Sequence, residues 1–416
     1  MTAFQILGLL LTLSALFAYV NFRWIRLPTA IGLMAMALSV SVALIVVDAI
    51  GWFQLKGPVS LVLDRIAFGE TLLHGLLGAL LFAGSLHIDL AEIRKQLGAI
   101  VVLATVSTLI STFAIGTLLF FALKAASMPM EFDYCLLFGS IIAPTDPVGV
   151  LGILKAARVP KSLEIQIAGE SLFNDGVGVV VFVAILGIVT RHETLSVPSL
   201  AMAFVHEALG GTVFGLVTGY VAYRLLKSID HYQTELLITL ALVVGGYAAA
   251  EWLAISAPLA SVAAGLLIGN QGRARAMSDT TRDHLDKFWM LVDEVLNTIL
   301  FVLVGFELIR ISLSTSALLA GALAIPIALL CRFVSVALPI SLLRSWISFV
   351  PGAVAVLTWG GLRGGISVAL ALALAPTPER NTIIVMTYAV VVFSVLVQGL
   401  TLGKVAKRFV GVAVDH

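Results

Sequence analysis

The chain has 416 residues, of which 60% are hydrophobic and only 12% charged, with 25 Lys and Arg against 24 Asp and Glu. A water-soluble domain of this length carries charge on about a quarter of its residues, so half that fraction and a mean hydropathy of +1.08 place most of this surface in lipid. The near-neutral balance and the lack of a basic run argue against nucleic acid as a partner. Cys135 and Cys331 both lie in apolar stretches, which argues against a disulfide framework or thiolate metal site.

A helix needs about 20 mainly apolar residues to cross a bilayer. That length predicts an all-α polytopic protein with about thirteen spans, at approximately 3–20, 29–49, 70–88, 98–123, 134–154, 164–190, 200–226, 235–252, 256–270, 290–309, 315–343, 347–375 and 382–403. The first run has no positive charge before it and is followed by Arg23 and Arg26, the reverse of a secretory signal, so a retained span with its N-terminus outside is expected. With that start, most of the basic residues, among them Arg94, Lys95, Lys155, Arg158, Lys404 and Lys407, fall on the inner side, and the C-terminus is cytoplasmic. Lys56, Arg65, Lys124 and a few others fall outside. No loop is long enough for a soluble module, so residues 1–416 are read as one membrane domain.

A charge at the centre of a bilayer costs at least about 2.5–3.5 kcal/mol, so each charged residue within a span needs a reason. The fifth span reads Gly139-Ser-Ile-Ile-Ala-Pro144-Thr145-Asp146-Pro147-Val-Gly149. Two prolines around Thr-Asp bar a continuous helix, and freed backbone groups in lipid must line a cavity or meet a ligand. A kink alone does not require an aspartate, so an ion site is favoured. The sixth span reads Gly169-Glu170-Ser171-Leu-Phe-Asn174-Asp175-Gly176-Val-Gly178. At 3.6 residues per turn Glu170 stacks on Asn174, and Ser171 on Asp175. Hard cations prefer oxygen ligands, and Thr145, Asp146, Ser171 and Asp175 supply them. A polar seam between helices accounts for Ser171 and Asn174 but leaves two carboxylates without a purpose. Further on, Arg332 lies deep in the eleventh span, where an unpaired guanidinium is untenable; Glu170 is the preferred partner. Arg363 lies in the glycine-broken stretch Trp359-Gly-Gly-Leu-Arg363-Gly-Gly of the twelfth span, where a role in the site and snorkelling to an interface both stay open. Interrupted fifth and twelfth spans in matched halves suit an inverted-repeat transporter.

The motifs Ala143-Pro-Thr-Asp-Pro-Val-Gly-Val, Gly169-Glu-Ser-Leu-Phe-Asn-Asp-Gly-Val-Gly and Trp359-Gly-Gly-Leu-Arg-Gly resemble the sodium/proton antiporters of the NhaP and animal NHE branch. The resemblance implies a 13-span inverted-repeat fold with two broken crossing helices, a homodimer, and a mobile core that carries its ion in an elevator-like movement. It implies an ion-translocating core at about 98–190 and 315–403, and a dimerisation scaffold at about 1–90 and 200–309. By motif, Asp175 matches the ion-binding carboxylate and Asn174 its neighbour; Asp146 and Thr145 match the broken-helix contributors, Ser171 a hydroxyl ligand, and Glu170 with Arg332 a core ion pair. Ala83 stands where several relatives carry an acidic residue, so that helix is not expected to add a carboxylate, and regulation through a long cytoplasmic tail like that of the animal branch is not expected either.

Together these readings predict a secondary transporter rather than an enzyme, without a cofactor. It exchanges Na+, and also Li+, for H+ in a multi-pass inner membrane, since one buried carboxylate holds either a proton or a metal cation. The resemblance implies electroneutral 1:1 exchange, and Asn174 in place of a second aspartate beside Asp175 agrees with it. Potassium/proton exchange is the nearest alternative and a gated cation channel a more distant one. An intramembrane hydrolase is disfavoured because no Gly-x-Ser-x-Gly elbow occurs and His74 and His87 have no obvious nucleophile beside them.

Overall fold

The computed structural model describes residues 3–50, 76–191, 197–312, 314–345, 347 and 349–410, and among these no β-strand occurs. In chain order the helices are α1 (Ala3–Val20), α2 (Thr29–Ile50), α3 (Leu77–Leu86), α4 (Leu90–Ala125, with a π turn at Leu103–Ser107), α5 (Phe132–Ile142) and α6 (Val148–Ala157). There follow α7 (Lys161–Arg191), α8 (Val197–Leu226), α9 (Tyr232–Trp252), α10 (Ala257–Leu267) and α11 (Asp279–Glu307). The last are α12 (Thr315–Leu343), α13 (Ala353–Trp359), α14 (Gly365–Leu372) and α15 (Arg380–Phe409, with a π turn at Ser394–Gln398).

Nine helical stretches among the described residues are long and apolar enough to span a bilayer. The four other spans expected from the sequence are those where the helix is short or interrupted. The third is described only as α3, its residues 70–75 and His74 lying outside the described residues, as do Lys56 and Arg65. The ninth is the short α10, prolonged by a π turn at Ile268–Gly272. The fifth divides into α5 and α6, and the twelfth into α13 and α14.

Two helices begin well before the expected positions. α4 starts at Leu90 and α11 at Asp279 because their first turns are charged: Lys95 pairs with Glu92, Arg282 with Asp279, and Lys287 with Asp283, each three or four residues apart. Such pairs support a helix outside the hydrocarbon, where a hydropathy threshold is blind. Local capping sets several starts: Asp89 accepts from the Ala91 N–H, and Ser256, Ser278 and Ser314 accept from Leu259, Thr281 and Ala317.

Helices α3, α8, α9 and α10 pack on one another and α2 packs along α11, whereas α4, α5, α7, α12 and α15 form a second assembly. The stripe Gly211, Gly215 on α8 serves the first: a Cβ at either would strike the backbone of α10 at Ser256 and Ala260. These glycines let the two helices approach at backbone distance. The two interrupted spans lie in the second assembly, and their breaks meet.

Candidate ion-binding site

Pro144 and Pro147 explain the gap between α5 and α6, and Gly360, Gly361 and Gly364 the gap between α13 and α14. The two unwound strands touch: the Asp146 N–H donates to the Leu362 carbonyl at 2.8 Å. This crossing leaves the last carbonyls of α5 and α13 without helical partners, and an arginine answers each. The Arg363 guanidinium donates to the Ala143 carbonyl and, at 2.7 Å, to that of Pro144. Arg332 of α12 donates to the Leu357 carbonyl from Nε at 3.3 Å and Nη2 at 3.0 Å. Each guanidinium therefore sits at the negative end of a half-helix. Arg363 is 3% exposed, which decides between the two roles the sequence left open: it is internal to the crossing.

Arg332 also grips Glu170 of α7 with both prongs, Nη1 to Oε1 at 2.5 Å and Nη2 to Oε2 at 3.0 Å. Two parallel charge-assisted bonds fix the angle between α7 and α12. One turn further along α7, Asn174 clasps the first break. Its Nδ2 donates to Thr145 Oγ1 at 2.9 Å and its Oδ1 accepts from the Thr145 N–H at 3.2 Å. Ser171 Oγ lies 3.0 Å from the same hydroxyl. Thr145, Ser171 and Asn174 thus form one knot, in which Asn174 spends its amide on holding the unwound strand. Gly178 is required for this approach, since a Cβ there would run into the Pro144 ring.

Asp175 is buried at 4% exposure and lies within electrostatic reach of Asp146. Among the described residues no ion-pair partner meets its carboxylate. The Asp146 carboxylate occupies the space over Gly364, at the N-terminal end of α14, where helix dipoles favour negative charge. The crossing thus brings together two aspartates, two hydroxyls and freed backbone carbonyls, an oxygen-rich setting that suits a hard monovalent cation. Ala83 is fully buried on α3. Replacing Gly364 with alanine drives a methyl into the Asp146 carboxylate. Transport should fall on the order of tenfold to a hundredfold, as for a displaced catalytic group, while gel filtration and thermal unfolding remain near wild type.

Three residues of α15 were missed by reading charges alone. Ser394 Oγ accepts from the Arg363 N–H at 2.9 Å, Gln398 Nε2 donates to the Trp359 carbonyl at 3.1 Å, and Thr401 Oγ1 accepts from Trp359 Nε1 at 2.8 Å. Their i, i+4, i+7 spacing in an apolar run is the signal that betrays a braced face.

By fold and by site, a helical membrane protein whose interrupted spans cross beside a buried aspartate and a half-buried one is a transmembrane ion exchanger of the crossed-helix class. The family model described as sodium/hydrogen exchanger, transmembrane, matches residues 11–408, and the chain belongs to that family. It is 48% identical over 402 residues to the Na(+)/H(+) antiporter NhaP of Pseudomonas aeruginosa, covering 96% of this chain and 95% of that protein. It is 33% identical over 347 residues to the Na(+)/H(+) antiporter NhaH of Halobacillus dabanensis, covering 82% and 83%. Its fold matches that of the sodium proton antiporter MjNhaP1 from Methanocaldococcus jannaschii with a TM-score of 0.75 at 21% identity, over 97% of this chain and 98% of that one. The match agrees with the expected all-helical antiporter fold.

Proposed function

We propose that this protein exchanges sodium for protons one for one, with Asp175 holding whichever cation is bound. The reading rests on family membership and on one observation: a buried aspartate without an ion-pair partner among the described residues, beside a crossing whose other charges are engaged. Glu170, Asp146 and Asp175 carry three negative charges when ionised, and Arg332 and Arg363 carry two positive ones. A single sodium ion or a single proton brings that group to neutrality. Moving an unbalanced charge through hydrocarbon costs at least about 2.5–3.5 kcal/mol, so the loaded forms move and the empty one stays. Coupling follows without another device.

Thr145, Ser171, Asp146 and Asp175 are the proposed sodium ligands, Asn174 the clasp that presents Thr145, and Glu170 with Arg332 the structural pair. Lithium, a smaller hard cation, fits the same oxygen set. The parts at about 98–190 and 315–403 act as the moving core against a scaffold at about 1–90 and 200–309 that dimerises. No cofactor takes part. The reading takes the membrane to be an inner one, and the Lys and Arg bias of the loops supports an N-terminus outside and a C-terminus in the cytoplasm.

The test is reconstitution into liposomes with an imposed pH gradient. Sodium and lithium should dissipate it at a rate indifferent to a clamped membrane potential. Dissipation by potassium in preference to sodium, or a voltage-driven current without proton movement, would replace this reading by one of its rivals.

A further inference from the structure

The largest of the cavities described lies apart from the clasp, and none of Thr145, Ser171 or Asn174 lines it. It measures about 770 Å³ and is lined by Gly149, Gly152 and Ile153 of α6 on one wall and Asp293, Asn297 and Phe301 of α11 on the other. Exposed Glu294, Lys404 and Lys407 stand at its mouth. Its lining comes within one helical turn of the crossing at Gly149. Gly149 lies one turn from Asp146, and Leu300 of α11 fills the space over Gly365, the first residue of α14. Along α11 the residues Asp293, Asn297 and Phe301 form one stripe at four-residue spacing, with Asp293 about 10 Å below Leu300 at 1.5 Å per residue.

Asp293 is half-buried in this wall and is oriented by Asn297, whose Nδ2 donates to its Oδ1 at 3.0 Å. One carboxylate oxygen is thereby fixed while the other remains for a passing cation, and Asp293 lies within electrostatic reach of Asp146. A fixed negative charge in a narrow, low-dielectric recess raises the local concentration of cations. The two lysines on the far rim repel them, which confines the attraction to the α11 wall.

We propose that Asp293, inside the mouth that the exposed Glu294 marks, is the wall carboxylate a cation meets on its way to Asp175 from the face carrying Lys404 and Lys407, and that it sets the apparent affinity on that face. The inference rests on the exchange reading above, yet the two fail differently. In proteoliposomes of defined orientation, Asp293→Asn should raise the sodium KM on that face about three- to tenfold, the size expected of one partly screened charge, with the maximal rate within about twofold of wild type. Asp293→Glu should keep the wild-type KM. Choline chloride raised to about 0.15 M, where screening acts within about 8 Å, should raise the wild-type KM and leave that of Asp293→Asn flat. An unchanged KM in Asp293→Asn, an equal rise on the opposite face, or a wild-type KM insensitive to salt overturns the proposal. Absence of sodium-dependent proton movement in the wild type overturns the exchange reading instead.

Discussion

Asp175→Asn should reduce sodium-driven proton movement to that of empty liposomes. Asparagine keeps the shape and volume of the side chain but accepts neither a proton nor, as an anion, a sodium ion. The core then stays neutral in every state, and its movement no longer carries either substrate. The fold should survive, because Asp175 has no ion-pair partner among the described residues to be orphaned by the change; its unfolding temperature should equal or exceed that of wild type. In the wild type, acidification should raise the sodium concentration for half-maximal rate, since each bound proton excludes a metal ion. Robust exchange by Asp175→Asn would remove the central residue from the mechanism.

Arg332→Ala should be the most destabilising single change at the crossing. It strands Glu170, 1% exposed, as a buried charge and uncaps the Leu357 carbonyl at the end of α13. Breaking one partner of a buried pair costs about 3–5 kcal/mol, visible as a large fall in unfolding temperature in detergent. The double variant Glu170→Gln with Arg332→Gln should recover much of that loss, because no unpaired charge remains and the glutamines can bond to each other. Recovery should stop short by about 1 kcal/mol for the bonds to Leu357. The double variant also restores the charge count around Asp175, from two unmatched negatives in Arg332→Ala to one, so exchange should return with it. Additive losses in the double variant would mean that Glu170 and Arg332 act separately.

Much of this protein was legible from the order of its residues alone. Apolar runs about 20 residues long announce spans because lipid offers backbone groups no partner, and charged residues inside them announce a site because each is costly. Pro144, Pro147 and the glycines around Arg363 break helices through local backbone chemistry, so both interruptions could be placed before any fold was known. Helical spacing likewise put Ser171 and Asp175 on one stripe of α7, beside that of Glu170 and Asn174.

What only the tertiary structure decided is which break meets which and what each charge touches. That Arg363 closes α5, that Arg332 closes α13 while holding Glu170, and that Asn174 clasps Thr145 across 29 residues are contacts between elements distant in sequence. The charged first turns of α4 and α11 and the polar stripe of α15 were present in the sequence, but hydropathy averages them away. The physical reason is common to all of these. Burial cost and backbone chemistry act residue by residue, whereas hydrogen-bond partners and cavities arise only once the helices cross.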